Sequence, residues 1–210
     1  MGGLSAAAGG LSAAAAAPFL GRLTRLDPAA VVRLRDAGGG TVALWGRVPW
    51  GVLVARTVPG SGVTDRTVGA AELLRVLTDG DGALPPARDP DWRWPLPPGA
   101  GTAVETLPAA TVQRLGAAAA EAVRAGRGRV GDRMLRDALL DHVAIVISTG
   151  DEEIPVRQSM IQAVLRMGFM STDGHGQITV RIGGKWVGLA AEHGSVWLQT
   201  TPSLTIHMAK

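Results

Sequence analysis

Residues 177–190 read QITVRIGGKWVGLA, and this stretch predicts the β-hairpin on which the C-terminal half of the chain is built. Two β-rich runs flank Gly183-Gly184, a pair that favours a two-residue hairpin turn. Such a turn predicts that Arg181 lies opposite Trp186. Because successive side chains of a strand point to opposite faces, the hairpin has an apolar face and a mixed face. The apolar face would hold Ile178, Val180, Val187 and Leu189, and the mixed face Thr179, Arg181 and Trp186.

A third strand is predicted over 195–200. If Val196 and Leu198 point into the core, Trp197 joins Trp186 on the mixed face. Trp and Arg are enriched among the residues that dominate binding energy at protein interfaces. The mixed face is therefore a candidate surface for a protein partner or for a second copy of the chain.

The residues before the hairpin predict helices over 106–125 and 132–142, a buried strand over 143–147 and a helix over 155–169. The order helix, helix, strand, helix, hairpin resembles a winged helix. In that resemblance the helix over 155–169 is the recognition helix and the hairpin is the wing. The resemblance implies a nucleic-acid-binding regulator.

A polar stripe on the predicted helix over 155–169 bears on the same question. Gln158, Gln162 and Arg166 recur every four residues, and Gln and Arg can read base edges in the major groove. The acidic run at 151–153 precedes the helix, where phosphates would approach, and counts against DNA binding. The alternative is an ordinary solvent-facing stripe on a core helix.

The N-terminal half predicts an α-β-β-α unit over 21–80. Asp27-Pro28 is typical of a helix start and Gly38 of a helix end, so a helix is expected between them. A hairpin follows over 41–58, and helical spacing returns over 68–78. The fold class is therefore α+β, with two small units made of helices and hairpins.

The N-terminal hairpin resembles the C-terminal one in what it presents. A turn at Trp50-Gly51 would place Trp45 opposite Arg56, on the face away from the core. Both sheets would then carry Trp and Arg on a face that something must cover. Either the two units and the segment between them cover these faces, or Trp45, Arg56 and their C-terminal counterparts bind a partner.

A Pro-rich strap over 81–106 joins the first unit to a second unit over 107–205. It contains Trp92 and Trp94, and free linkers seldom carry two tryptophans. We therefore expect the strap to pack on a folded surface. Its prolines, which deny the strap a regular strand, are Pro85, Pro86, Pro90, Pro95, Pro97 and Pro98.

Residues 1–20 contain the tandem repeat GGLSAAA at 2–8 and 9–15. A signal peptide requires basic residues before its apolar region, and none precedes these alanines. The chain also has no apolar stretch of membrane-spanning length. The expectation is a flexible tail on a cytoplasmic protein with no membrane role. A start site nearer Leu20 is an open alternative.

The net charge of +3 is concentrated in one segment. Residues 107–136 hold six arginines and two acids, a balance of +4. Phosphate binding at the start of a helix is the functional interpretation of this cluster, and a solvated face is the alternative. Gly126, Gly128 and Gly131 spell a dinucleotide-binding pattern but lack the strand that must precede it, which favours a plain turn. The candidate phosphate ligands are Arg127, Arg129, Arg133 and Arg136.

Residues suited to catalysis are sparse. The chain has no cysteine, and its histidines at 142, 175, 193 and 207 lack zinc-site spacing. We therefore expect no enzyme activity, no metal and no cofactor. The preferred interpretation is a non-catalytic interaction or adaptor protein, and the alternative is a nucleic-acid-binding regulator.

Several phrases resemble conserved uncharacterised proteins of high-GC actinobacteria. They include LTRLDPAAVVRLR at 23–35, VPWGVLVARTV at 48–58 and WVGLAAEHGSVW at 186–197, with shorter ones, LLDHVAIVI and VLRMGFM, at 139–147 and 164–170. The resemblance implies a bacterial cytoplasmic protein and assigns no catalytic residue.

Overall fold

A computed structural model describes residues 10–80, 83–126, 132–150, 152–171 and 176–200. The helices are α1 (Ala13–Leu26), α2 (Ala70–Asp79), α3 (Ala109–Gly126), α4 (Asp132–Asp141) and α5 (Gln158–Met167), with one 3-10 turn at Asp89–Asp91. The strands are β1 (Val31–Gly38), β2 (Thr41–Arg47), β3 (Leu53–Pro59), β4 (Arg66–Gly69), β5 (Thr102–Pro108), β6 (Val143–Thr149), β7 (Glu152–Arg157), β8 (Gln177–Gly183), β9 (Trp186–Ala191) and β10 (Gly194–Gln199).

Eight strands form one antiparallel sheet in the order β4-β1-β2-β3-β10-β9-β8-β5. The β3–β10 pair joins the two halves of the chain, with Val54 opposite Val196. β6 and β7 form a separate two-stranded sheet. The protein is thus mixed α and β, and its two predicted units share one sheet.

One continuous core lies between the large sheet and the helices. It contains Phe19 from α1, Leu73 from α2 and Val164 from α5, all without solvent exposure. Leu44 and Leu189 supply the sheet side from opposite halves of the chain. α1 packs between α2 and α5, and α3 and α4 pack on α5. The helices therefore form a layer on one face of the sheet.

The expected flexible tail over 1–20 is wrong where the chain is described, and residues 1–9 lie outside the described residues. α1 begins at Ala13, and the Ser12 hydroxyl accepts a hydrogen bond from the Ala15 amide at 3.4 Å. The second copy of the repeat thus supplies a cap and alanines, the best helix formers. Apolar residues at helical spacing then bury one face: Ala16, Phe19, Leu20 and Leu23.

The helix expected after Asp27-Pro28 is also wrong, because β1 occupies Val31–Gly38. Asp27 caps a turn instead, since its carboxylate accepts from the Ala29 amide at 2.9 Å. Leu34 is buried while Arg35 is exposed, which is the two-residue period of a strand. Strand alternation here outweighs the local helix-start signal.

Three expectations for the second half are corrected, two of them boundaries and one the burial of a strand. The strap ends before residue 102, because β5 pairs with β8 along its length. The expected helix over 155–169 begins only at Gln158, after β7. The strand expected to be buried over 143–147 is partly exposed, with Val143 and Val146 showing 39% and 52% of their surface.

The winged-helix interpretation is not supported. The hairpin of β8 and β9 is not a projecting wing, because β5 pairs with β8 and β10 pairs with β9. α5 packs its apolar side on β9 and β10 and lies between α1 and α3, so it is a core helix of a larger layer.

Candidate interaction surfaces

The predicted mixed face of the C-terminal sheet exists, and the strap covers it. The hairpin register differs from the expected one, since Gly183 pairs with Trp186 around a turn of Gly184 and Lys185. This moves the partner of each residue by two positions, so every side chain keeps its predicted face. Trp186 and Trp197 lie together there and are only 6% and 3% exposed.

Five of the six tryptophans gather on this face, which we call the tryptophan face. Trp92 of the strap belongs to one buried cluster with Trp186, Trp197, Val31 and Leu53, and the other neighbours are Trp45, Trp94 and Leu96. The ring of Trp197 covers Gly188 so closely that a Cβ there would lie 2.6 Å from it. The prediction that the strap packs on a tryptophan-bearing face agrees with this arrangement.

The strap's own contacts hold its tryptophans in place. The rings of Trp92 and Trp94 meet edge to face at 5.4 Å, and the Trp92 indole N–H donates to the Trp94 carbonyl at 2.7 Å. The Arg47 guanidinium lies 4.9 Å from the centre of the Trp94 ring. Burial lowers the pKa of Arg47 from its ordinary value. The Trp92 indole N–H and the Arg47 guanidinium thus have partners inside the chain.

The two arginines predicted for the candidate surface, Arg181 and Arg56, lie on opposite faces of the sheet. Arg181 lies on the tryptophan face and donates to the carbonyls of Ala100 and Gly101 at 2.5 and 2.9 Å. Arg56 does not lie opposite Trp45, because Trp45 pairs with Ala55. Val48 and Val52 enclose a three-residue turn, so the register differs from a two-residue turn by one position.

That one-residue difference moves Arg56 to the helical side of the sheet. It pairs with the buried Leu44 and lies near Arg22 of α1. Burial, and to a lesser degree the Arg22 charge, lowers the pKa of Arg56. Arg56 therefore lies on the helical side of the sheet and not on the tryptophan face.

The polar stripe of α5 lines a groove of about 930 Å³ between α3, α4, α5 and the β2–β3 turn. Gln158 is almost fully buried and donates to the Leu115 carbonyl at 3.4 Å, so it ties α5 to α3. Gln162 is half-buried and Arg166 is exposed. Trp50 forms part of the groove wall and donates its indole N–H to the Ser159 carbonyl at 3.0 Å.

The predicted arginine cluster is only partly described. Arg127 and Arg129 lie outside the described residues, and so does the side chain of Arg133. Arg136 lines the groove, as does Arg124, which forms an exposed ion pair with Glu121 at 2.6 Å. Whether this cluster binds phosphate stays a prediction.

The helical layer brings together arginines that are distant in sequence. α1 carries Arg22 and Arg25, α3 carries Arg114 and Arg124 with Glu121, and α5 carries Arg166. Five arginines less one glutamate give +4 over these three adjacent helices. α2 has two acids and one arginine, and α4 three acids and two arginines. The positive charge therefore lies in the middle of the layer, which we call the arginine face.

Sequence reasoning missed Arg22, Arg25 and Arg114 as site residues. A signal for the first two exists, since apolar residues at helical spacing from Ala16 to Leu23 identify α1 and its basic last turn. Their proximity to α3 and α5 depends on the β3–β10 pairing, which no local pattern indicates.

Other chemistry is sparse in the described part of the chain. Those residues contain no group of three side chains suited to a metal ion. His142 lies between α4 and β6, His193 lies between β9 and β10, and His175 and His207 fall outside the described residues. None of the described helices has the length and apolarity that crossing a bilayer requires.

The fold is similar to that of bacterial sliding clamps. The DNA polymerase III subunit beta of Pseudomonas aeruginosa is 12% identical with a TM-score of 0.54, over 91% of this chain and 64% of that one. The Streptococcus pyogenes beta subunit is 12% identical with a TM-score of 0.56, over 94% and 67%. For the Thermotoga maritima subunit the values are 13%, 0.51, 89% and 62%. The chain thus spans less than two thirds of the first of these proteins.

The chain belongs to the family described as Domain of unknown function (DUF8185), which matches residues 96–203. Residues 6–94 match a second family, Domain of unknown function (DUF8010). No curated protein matches the chain. Neither family description states a catalytic activity, and both fit the predicted likeness to uncharacterised proteins. An actinobacterial origin stays a prediction.

Proposed function

We propose that this protein is a non-catalytic interaction scaffold that binds nucleic acid through the arginine face. The observation that carries the proposal is the +4 balance of α1, α3 and α5, which pack side by side on one surface. Arginine guanidinium groups bind phosphate oxygens with paired hydrogen bonds, without regard to base sequence.

The exposure of these side chains supports the proposal. Arg25, Arg114, Arg124 and Arg166 are all exposed, and Arg124 alone of these four forms an ion pair with a described acid. Burial and, to a lesser degree, the charge of the nearby Arg22 lower the pKa of Arg56, so the two guanidinium groups repel each other. An anion bound beside Arg22 would relieve that repulsion.

The likeness in fold adds support, because the similar structures are named as DNA polymerase subunits and sliding clamps. Such a role requires binding and no chemistry.

The tryptophan face is a less favoured binding surface. Trp186 and Trp197 are already buried by the strap, and Arg181 is bonded to backbone carbonyls. A partner at this face would first have to displace Trp92, and binding would be weakened by that cost. We therefore assign the interaction to the arginine face.

The test is binding of a short fluorescent DNA duplex, followed by anisotropy as salt is raised. The triple variant Arg25→Ala, Arg114→Ala, Arg166→Ala removes three positive charges from the arginine face. Each phosphate contact adds about 0.9 to the slope of log affinity against log salt, so three lost contacts lower the slope by about 3. We expect binding at low salt to fall at least tenfold.

A charge-matched control removes three positive charges elsewhere: Arg35→Ala, Arg93→Ala, Lys185→Ala. These exposed residues lie on the tryptophan side of the sheet, on the strap and in the β8–β9 turn. The control should keep the wild-type slope. Equal losses in both triple variants, or no binding by the wild type at low salt, would overturn the proposal.

A further inference from the structure

The edges of the two sheets differ in how they are protected against further pairing. An edge strand exposes unpaired N–H and C=O groups, and natural proteins block such edges with charge, proline, bulges or covering segments. The described residues contain four edges of this kind, formed by β4 and β5 in the large sheet and by β6 and β7 in the small one.

Three of the four edges are blocked. The strap covers β4, because the Thr67 amide donates to Asp89 at 2.6 Å and the Arg88 amide donates to the Thr67 carbonyl at 2.8 Å. β5 has a break in register after Ala103 and ends in proline. β7 reads EEIPVR, so it carries two acids, a proline and an arginine.

β6 has a register break near its start, between Val143 and Ile145, but no other protection of this kind. It reads VAIVIST, without a charge or a proline, and pairs with no described strand except β7. Val143 and Val146 are 39% and 52% exposed, and Met134 of the preceding helix is 67% exposed. These three are the exposed large hydrophobic residues of the described chain. An uncharged apolar edge of this kind is a template for another strand.

Pro155 of β7 indicates which groups β6 offers. A proline within a strand is tolerated where its nitrogen faces away from the neighbouring strand. Val146 is its partner, so in this antiparallel pair the N–H and C=O of Val146 also point away from the partner strand. Ser148, two residues on, points the same way. The free edge therefore presents donors and acceptors at Val146 and Ser148.

We propose that β6 pairs with β6 of a second copy of this chain, antiparallel and centred on Val146. Val146 would exchange two hydrogen bonds with its own counterpart, and Ile145 would lie opposite the counterpart of Ile147. The register break between Val143 and Ile145 limits the regular pairing to residues 145–147. Every pair is uncharged, so the strand is complementary to itself, as a two-fold interface requires.

Charge at the strand ends favours the antiparallel orientation. Glu152 and Glu153 of β7 flank the end of β6, and Arg157 flanks its start. A parallel pair would bring the acidic ends of both copies together. The antiparallel pair instead places the acidic end of each copy toward the start of β6 in the other, where Arg157 is paired with Asp141 at 3.1 Å. The antiparallel orientation thus avoids repulsion between the acidic ends.

The interface is expected to be modest in size. Strand pairing alone buries less than the roughly 800 Å² per partner of a standard stable interface. α4 directly precedes β6, so its exposed Met134 is positioned to add apolar area. The dimer should therefore dissociate on dilution.

The first test is the mass of the full chain by sedimentation equilibrium over a wide concentration range, without nucleic acid. We expect a monomer–dimer equilibrium. Val146→Lys adds the charge that blocks natural edges, and should weaken dimerisation at least tenfold. Thr106→Lys makes the matched change at an exposed position on the blocked β5 edge and should leave the equilibrium unchanged. Melting curves confirm that both variants fold.

A second test uses the absence of cysteine from the chain. Val146→Cys introduces a single thiol, and counterparts in a hydrogen-bonded antiparallel pair lie about 5.5 Å apart between Cα atoms, within disulfide range. Mild oxidation should give a cross-linked dimer, whereas Thr106→Cys should give little.

Three results would overturn self-pairing: a wild-type chain that stays monomeric at all concentrations, a dimer that persists in Val146→Lys, or equal cross-linking of both cysteine variants. A monomer would leave an extended segment of another protein as the occupant of this edge. The outcome is independent of the nucleic-acid proposal, because no residue changed here lies on the arginine face.

Discussion

The two faces of the eight-stranded sheet are closed by different means. On the helical side, fully buried aliphatic and phenylalanine side chains of the helices fit against the strands. On the other side, a segment with one short 3-10 turn covers the sheet through Trp92, Trp94 and Leu96. A regular element can spread its apolar contacts over many residues, whereas an irregular strap depends on a few large anchors.

This difference follows from what each segment gains on ordering. A helix satisfies its own backbone groups, so each added residue contributes both a hydrogen bond and packing. The strap's backbone has few partners in the sheet: the Arg88 N–H donates to the Thr67 carbonyl, and the carbonyls of Ala100 and Gly101 accept from Arg181. Prolines reduce the entropy that the strap loses on ordering, and the indole rings supply buried area.

The largest effect should come from the helical side. Phe169 is fully buried and stacks on Phe19 of α1 at 6.3 Å. Phe169→Ala removes this contact and leaves a cavity that the surrounding helices cannot fill. We expect the free energy of unfolding to fall by about 3–5 kcal/mol, measured by urea denaturation.

Phe169→Leu is the matched control, since it keeps most of the buried volume and should cost less than half as much. A loss of less than about 1 kcal/mol in the free energy of unfolding of Phe169→Ala would mean that the helical side relaxes to fill the cavity. The helical side would then be no more rigidly packed than the strap, and the contrast between the two faces of the sheet would be wrong.

A smaller loss is expected from the strap. Trp92→Ala removes its central anchor, but a released strap regains conformational entropy, which offsets part of the lost burial. We expect a loss of roughly 2–3 kcal/mol, below that of a rigid core site. Acrylamide should quench the fluorescence of Trp186 and Trp197 more strongly in this variant, because their cover is loosened.

Arg93→Ala changes the exposed residue next to this anchor and should alter neither stability nor quenching. If Trp92→Ala melted like the wild type with unchanged quenching, the strap would not be what buries the tryptophan face.

The tryptophan face could be predicted from sequence because strand alternation survives some errors. The predicted position of the β8–β9 turn was wrong, which shifted the predicted strand partners by two positions but left Trp186 and Arg181 on the correct face. In the β2–β3 hairpin the error was one position, and it put Arg56 on the wrong face. Turn length therefore decided which half of this candidate surface was predicted correctly.

The arginine face could not be assembled from local patterns. Its residues come from α1, α3 and α5, which meet only because β3 pairs with β10. Pairing between distant strands leaves no periodic signal in either strand. That β5 is a strand and not the end of the strap could not be predicted for the same reason. Its partner β8 lies about seventy residues further along the chain.

The smallest effect concerns an ion pair on the strap side of the sheet. Arg33 donates to both carboxylate oxygens of Asp65, at 2.6 and 2.8 Å, and Arg35 lies 3.3 Å from the same carboxylate. The hydrogen bond from Arg33 is the main cause that lowers the pKa of Asp65 below its ordinary value of 3.8. The contact links β1 to the residue just before β4.

The sign of the pH dependence follows from that shift. Because the folded state holds the Asp65 pKa below the unfolded value, the stabilisation is complete above about pH 4 and is lost as pH falls through the folded pKa. Arg33 and Asp65 are 30% and 43% exposed, so solvent screening keeps the effect below about 1 kcal/mol. Asp65→Asn should therefore be less stable than wild type near neutral pH, and the difference should shrink in acid.

A double variant is the control. Adding Arg33→Gln to Asp65→Asn should lower the free energy of unfolding little further, because both changes remove the same contact. A difference between wild type and Asp65→Asn that stayed constant with pH would show that the carboxylate charge does not hold β1 to β4.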